Sequence, residues 1–443
     1  MKSLWSTAAR LAEKTPAKRN RCVDFLRAVS ILVVVTGHWL MAAPWVDADG
    51  AHISHLLNVS PWAQWLTWVM QVMPIFFFVG GYSNGISWDA ACRDGTSYRN
   101  WLGSRLTRLL GPVLVLVLFW IVTAGVAHWA GVSAVMIRVG SQIALMPTWF
   151  LAVYALVVLL VPLTRSAWNS MGMGSIAIPF LLAGLVDGAY FGLGWTEAGW
   201  INYLFVWVGV HQLGYAWLEG RFASRLRSSL WCLIGVGSLV ALTEVGPWPH
   251  SLVGVPGDVV SNTEPPHLPL VALAVFQFGG IMLITGRLTR WLADPHLWTA
   301  TVLINGVIMT VFLWHSTVMM LLFGVSVWLG GTGLEVVPNT GDWWWTRLAW
   351  VAIFAVSLLP FVGIFVRFER PSRTQAPSPV PWRMAVGSGL MIVGLALLAS
   401  GGIGGTGPLG LRLVPIVLTL GGAEVAGVGV ISSLAAATRV LIR

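Results

Sequence analysis

Long apolar runs separated by short polar stretches recur from one end of this chain to the other. A helix needs about 20 apolar residues to cross a hydrocarbon core of about 30 Å. Runs that meet this requirement predict spans near 25–43, 63–87, 109–129, 148–163, 175–192, 200–218, 229–245, 268–286, 306–329, 345–367, 383–401 and 413–435. The fourth is short, and the apolar stretch 133–146 before it belongs to the same element, lying in the interface or dipping into the bilayer. The pattern therefore predicts an all-α fold, a polytopic membrane bundle of ten to twelve helices.

Composition supports this reading. Of 443 residues, 56% are hydrophobic and 10% charged, and the mean hydropathy is +0.77, which excludes an ordinary soluble domain. Lys2, Arg10, Lys14, Lys18, Arg19 and Arg21 crowd the N-terminal tail, and further arginines gather in alternate loops. Because short cytoplasmic loops retain positive charge, both termini are expected in the cytoplasm. The net charge of +9 then reflects topology and attraction to anionic lipid, and no nucleic-acid partner is expected. Cys22, Cys92 and Cys232 fit neither a disulfide nor a metal cluster and read as free thiols.

Four segments follow from the same pattern. Residues 1–22 form a basic cytoplasmic tail without signal-peptide organisation, and 23–372 a transmembrane core. Residues 373–382 form a proline-rich linker, and 383–443 add two helices rich in small residues. No internal repeat is evident, which weakens an inverted-repeat transporter reading.

Candidate chemistry begins on the first span, where Arg27 and His38 stand eleven positions apart. At about 100° per residue that spacing returns to the same face within roughly 20°, with about 16 Å of axial rise between the two. Ionisable groups at such depth normally face a bundle interior or an aqueous cavity. Asp24, three residues before Arg27, is placed for a same-face ion pair. Arginine near the inner end of a first span is also what a simple positive-inside anchor looks like, whereas a histidine deep in the span is not.

Arg105 and Arg108, one turn apart at the start of the third span, offer two planar donor forks suited to phosphates, or alternatively a snorkelling pair. Gly80 and Gly81 precede Tyr82, Ser83 and Asn84, which suit either close helix packing or a cavity wall. His211 and His315 are isolated intramembrane histidines. His52 and His55 read as a solvated loop pair, and no metal site is expected. No lysine follows Lys18, which removes an intramembrane Schiff base.

These pieces occur in a telling order: Asp24-Phe-Leu-Arg27 with His38, Phe76-Phe-Phe-Val-Gly-Gly-Tyr82, Arg-x-x-Arg at 105–108 with Pro112, Thr148-Trp149-Phe-Leu, Phe312-Leu-Trp-His315 and Glu369-Arg-Pro371. The series resembles the membrane-bound acyltransferase family three over roughly residues 20–372. Departures are Val79 where a serine often precedes the glycine, and Trp314 in place of the usual tyrosine.

The resemblance implies an integral membrane O-acyltransferase of a bacterial cytoplasmic membrane. Such enzymes move an acyl group, usually acetyl, from cytoplasmic acyl-coenzyme A to a hydroxyl of a carbohydrate, glycolipid or other envelope or secondary-metabolite acceptor. Acyl-coenzyme A is then a donor substrate, and no permanently bound cofactor is expected. Arg105, Arg108 and Arg27 would hold its phosphates, and His38, with Arg27 and Asp24, would serve as general base or transient acyl carrier. Tyr82, Ser83, Asn84, Trp149, His315 and Glu369 would contact substrates. The competing reading is a transporter or flippase of a glycosidic or lipid-linked substrate, with His38 as a proton relay.

Overall fold

The computed structural model describes residues 2–16, 18–369 and 379–429. Residues 373–378 of the expected linker and 430–435 of the last expected span lie outside them. In chain order the elements are α1 (Lys2–Glu13), α2 (Arg21–Met41), the hairpin β1 (Trp45–Asp47) and β2 (Gly50–His52), the short α3 (Leu56–Val59) and α4 (Thr67–Met70), α5 (Met73–Arg93) and α6 (Tyr98–Trp129). Next come α7 (Ala134–Leu145), α8 (Thr148–Leu159), α9 (Val161–Met171), α10 (Gly174–Gly192), α11 (Asn202–Leu218) and α12 (Arg225–Val245). The last are α13 (Leu268–Trp291), α14 (Pro295–Asn305), α15 (Ile308–Trp328), α16 (Gly341–Phe365), α17 (Pro381–Gly401) and α18 (Leu413–Ala426).

Among the described residues nine helical segments are long and apolar enough to cross a membrane, and α7 with α8, bent by 47°, makes a tenth. The expected spans at 200–218 and 413–435 correspond to α11, of 17 residues, and α18, of 14. The chain is a helical, multi-pass membrane protein.

Helix starts follow from capping chemistry. Asn20, Ser97, Ser133, Asp294 and Thr340 each accept a backbone N–H of the first turn they precede, satisfying a donor that has no partner within its helix.

The chain divides into two compact units. The first comprises residues 1–43, 53–89 and 161–308. Here α12 and α13 approach backbone to backbone, since a β-carbon at Gly279 would lie 2.5 Å from the Cys232 nitrogen. Polar knots tie other helices together. Arg165 of α9 forks onto Asp89 of α5 at 2.9 and 3.0 Å and reaches Glu219, just past α11, at 2.9 Å. Buried Asp187 of α10 accepts from His267 Nδ1 at 2.7 Å, from the Leu268 N–H at 2.9 Å and from Asn202 of α11 at 2.8 Å. Fixing three donors on one buried carboxylate compensates its removal from water.

The second unit comprises residues 44–52, 90–160 and 309–443. Its hairpin pairs Trp45 with His52 and Asp47 with Gly50, turning at Gly50 with φ +123°. The two C-terminal helices join this unit through small residues. A β-carbon at Gly387 would stand 2.3 Å from the Ala426 nitrogen, and Thr148 Oγ1 of α8 donates to the Leu395 carbonyl of α17.

Candidate active site

In the first unit, α2 runs unbroken from Arg21 to Met41. Its continuity fixes the eleven-residue spacing, so Arg27 and His38 share one face at different depths. Asp24 is buried at 5% exposure. It accepts two hydrogen bonds from Arg19, at 2.6 and 3.1 Å, and one from Arg27 Nη1 at 3.2 Å. Its carboxylate holds the Arg19 guanidinium above its ordinary pKa through that direct hydrogen bond. The other Arg27 nitrogen donates to Ser83 Oγ of α5 at 2.7 Å, and Ser83 donates onward to the Val79 carbonyl at 3.0 Å. The Asn305 amide of α14 donates to the Asp24 carbonyl at 2.9 Å. The arginine is thus aimed by two helices while 27% of its side chain stays exposed, leaving donor capacity for an anion.

His38 lies in the last turn of α2 and is partly exposed. Its carbonyl receives the Ala42 N–H at 3.2 Å, and Ala42 forms an antiparallel bridge with His55. The bridge brings the two imidazoles into electrostatic contact. His55 Nδ1 accepts the Leu57 N–H at 3.4 Å, which leaves its proton on Nε2. Burial pushes the His55 imidazole down to about 4, so it is neutral near pH 7. The expectation of a solvated pair therefore fails for His55, because the chain after α2 folds back along the helix end. His52 instead bonds Asp47 at 2.8 Å within the hairpin. No sequence spacing links His55 to His38. The only cue was a polar residue shortly after a span that ends in one.

The expected substrate residues of α5 have partners of their own. Ser83 holds Arg27. Asn84 is buried, and its amide donates to His211 Nε2 of α11 at 3.2 Å. Tyr82 is partly exposed, its ring tilted against Trp217 at 5.2 Å. The neighbouring glycine permits a backbone crossing: a β-carbon at Gly81 would sit 1.8 Å from the His211 carbonyl oxygen, and one at Gly214 2.1 Å from the Phe78 carbonyl oxygen.

In the second unit, Arg105 and Arg108 occupy successive turns of α6. The Arg105 guanidinium lies over Trp101, 5.9 Å from its ring centroid, while Arg108 is exposed and interacts electrostatically with Glu369. Glu369 accepts from the Thr310 N–H and hydroxyl and from the Met309 N–H, which caps the first turn of α15. Glu369 thus sits at a helix start, where negative charge is favoured, and near Arg108.

His315 is fully buried in α15, its Nδ1 bonded to the Phe312 carbonyl at 2.6 Å and its Nε2 to Ser316 Oγ at 3.1 Å. Trp149 is partly exposed on the first turn of α8, edge-on to Phe150 at 6.3 Å. Among the described residues no group of three His, Cys, Asp or Glu side chains could hold a metal ion.

A family model described as an acyltransferase domain, that of acyltransferase family 3, matches residues 20–367. No curated protein and no solved structure matches the chain.

Proposed function

The chain belongs to acyltransferase family three, and from that premise we propose that it moves an acyl group, usually acetyl, from cytoplasmic acyl-coenzyme A to a hydroxyl of a carbohydrate, glycolipid or other envelope acceptor. One observation carries the reading. Arg27 and His38 stand on one unbroken helix, both partly exposed, the first gripped by Asp24 and Ser83 and the second beside a neutral imidazole.

In this reading Arg105 and Arg108 receive phosphates of the carrier, because each presents a planar fork that an oxyanion can fill. Arg27 adds a third guanidinium for the same class of group. His38 takes the proton of the acceptor hydroxyl as its oxygen attacks the thioester carbon. The new C–O bond forms and the C–S bond breaks. The coenzyme A thiolate leaves and recovers the proton from the imidazolium. Neutral His55 favours that cycle, since a permanent positive charge beside His38 would oppose its protonation. Tyr82 and Trp149, each partly exposed, are the candidate contacts for substrate. The collection of basic residues in the N-terminal tail and in alternate loops supports a cytoplasmic location for both termini.

The test is release of free coenzyme A by the purified protein, followed with the acceptor's mass. Wild type should consume acyl-coenzyme A and add one acyl mass to the acceptor. His38→Ala should lose at least about a hundredfold in turnover, the scale of general acid–base catalysis, while keeping its expression and elution profile. Wild-type turnover in that variant overturns the assignment. An acyl adduct on His38 without acceptor would mark the imidazole as a transient carrier, and substrate movement without covalent change would mark a transporter.

A further inference from the structure

Away from the groups discussed so far, the first unit contains a cavity of about 350 Å³ lined by Met173, Arg221, Phe222, Arg227 and Trp231. That volume lies in the range of about 300–1,000 Å³ typical of small-ligand pockets. It sits where α10 begins, α11 ends and α12 begins. Its floor is apolar and fixed. Phe222 is 5% exposed and packs edge-on against Trp231 at 4.7 Å and Phe278 at 5.0 Å. The two arginines supply positive charge at one end. Arg227 donates to the Arg221 carbonyl, and Arg221 pairs with Glu219 at 3.5 Å, a carboxylate that Arg165 already engages at 2.9 Å. Two guanidiniums therefore line the cavity, and the nearby Glu219 is shared between Arg221 and Arg165.

Beside the cavity, α12 exposes an apolar surface. Arg227, Trp231 and Ile234 recur at helical spacing on α12, and Leu226, Leu230, Leu233 and Ile234 are all exposed. On the stripe through Arg227, a charged side chain, an aromatic one and an exposed aliphatic one, Ile234, succeed one another along the helix. That order matches a phospholipid in polarity: phosphate, glycerol backbone, acyl chain. A soluble anion would leave the apolar floor unused, and a neutral lipid would leave the guanidiniums unmatched. We propose that this cavity binds one anionic phospholipid, its phosphate between Arg221 and Arg227 and its acyl chains along α12.

Native mass spectrometry of the full chain tests this, with phosphatidylglycerol and phosphatidylethanolamine of identical acyl chains. Wild type should retain one phosphatidylglycerol about tenfold more readily than phosphatidylethanolamine. The double variant Arg221→Gln/Arg227→Gln should bring the two lipids to equal retention, whereas Arg10→Gln/Lys14→Gln in the basic N-terminal segment should leave the preference intact. Equal retention by wild type overturns the proposal without reference to any variant. Preference that survives the double variant, or that vanishes with the N-terminal pair instead, overturns it as well. Inorganic phosphate should not displace the lipid, and displacement by phosphate alone would reassign the cavity to a free anion.

Discussion

Replacing Asp24 by alanine tests whether the carboxylate holds Arg27 in its working position. Asp24 has 8% side-chain exposure, and its two partners differ sharply, Arg19 being 54% and Arg27 27% exposed. Hydrogen bonds to charged groups contribute about 1.5–3 kcal/mol each, but the solvent-exposed Arg19 contact belongs to the exposed class worth about 0–1 kcal/mol. Most of the loss should therefore arise at Arg27 and from the helix start, where an acid contributes about 0.3–1 kcal/mol. We expect Asp24→Ala to cost about 2–3 kcal/mol and Arg19→Ala less than about 1 kcal/mol. Denaturant unfolding of the purified protein in one detergent measures both. The same preparations should show coenzyme A release falling in Asp24→Ala by more than the folded fraction accounts for, because Arg27 retains only Ser83. Equal costs for the two variants, or an Asp24→Ala protein with wild-type stability and turnover, would refute the reasoning.

Other outcomes follow from the same geometry. Arg105→Ala should raise the KM for acyl-coenzyme A at least several-fold and leave the KM for acceptor near wild type in steady-state kinetics; equal changes in both would mean general damage. Gly214→Ala forces a β-carbon to within 2.3 Å of the Tyr82 nitrogen and should cost about 1–3 kcal/mol by unfolding. Gly237→Ala meets nothing within 4 Å and should be neutral or stabilising by roughly 0.5–1 kcal/mol. The His55 imidazole has its pKa lowered from 6.5 to about 4, so folding favours its neutral form. Its contribution, roughly 3 kcal/mol, is complete above pH 6.5 and is lost as pH falls from 6.5 towards 4. Thermal unfolding across that window should show a steeper acid loss for wild type than for His55→Gln.

Sequence reached the architecture because the bilayer imposes it. Apolar length alone located every long helix, and the boundaries moved mainly where capping residues such as Asn20 and Ser97 begin a helix outside the hydrocarbon. Depth was the weaker signal. The 17-residue α11 was readable as a span by apolarity, yet its face is shaped by Gly209 and Gly214, whose neighbours lie on other helices. Which helices meet at a glycine is a tertiary fact, and a single sequence carries no direct record of it.

The site divides along the same line. Relations within one helix were legible: Asp24 with Arg27, Arg27 with His38, Arg105 with Arg108. Each follows from 3.6 residues per turn and needs no fold. Relations between elements were not, and they change what several residues do. Ser83, expected to face substrate, is spent on Arg27, and Asn84 on His211. Glu369 acts at the start of α15, 59 positions from Thr310 in sequence. His55 reaches His38 only because Ala42 bridges to it. A motif residue can therefore be engaged in holding another motif residue, as Ser83 holds Arg27. For Ser83 the distinction is measurable: a residue that positions Arg27 for the carrier should, as Ser83→Ala, raise the KM for acyl-coenzyme A and leave the KM for acceptor near wild type, whereas a direct acceptor contact would change the acceptor KM alone.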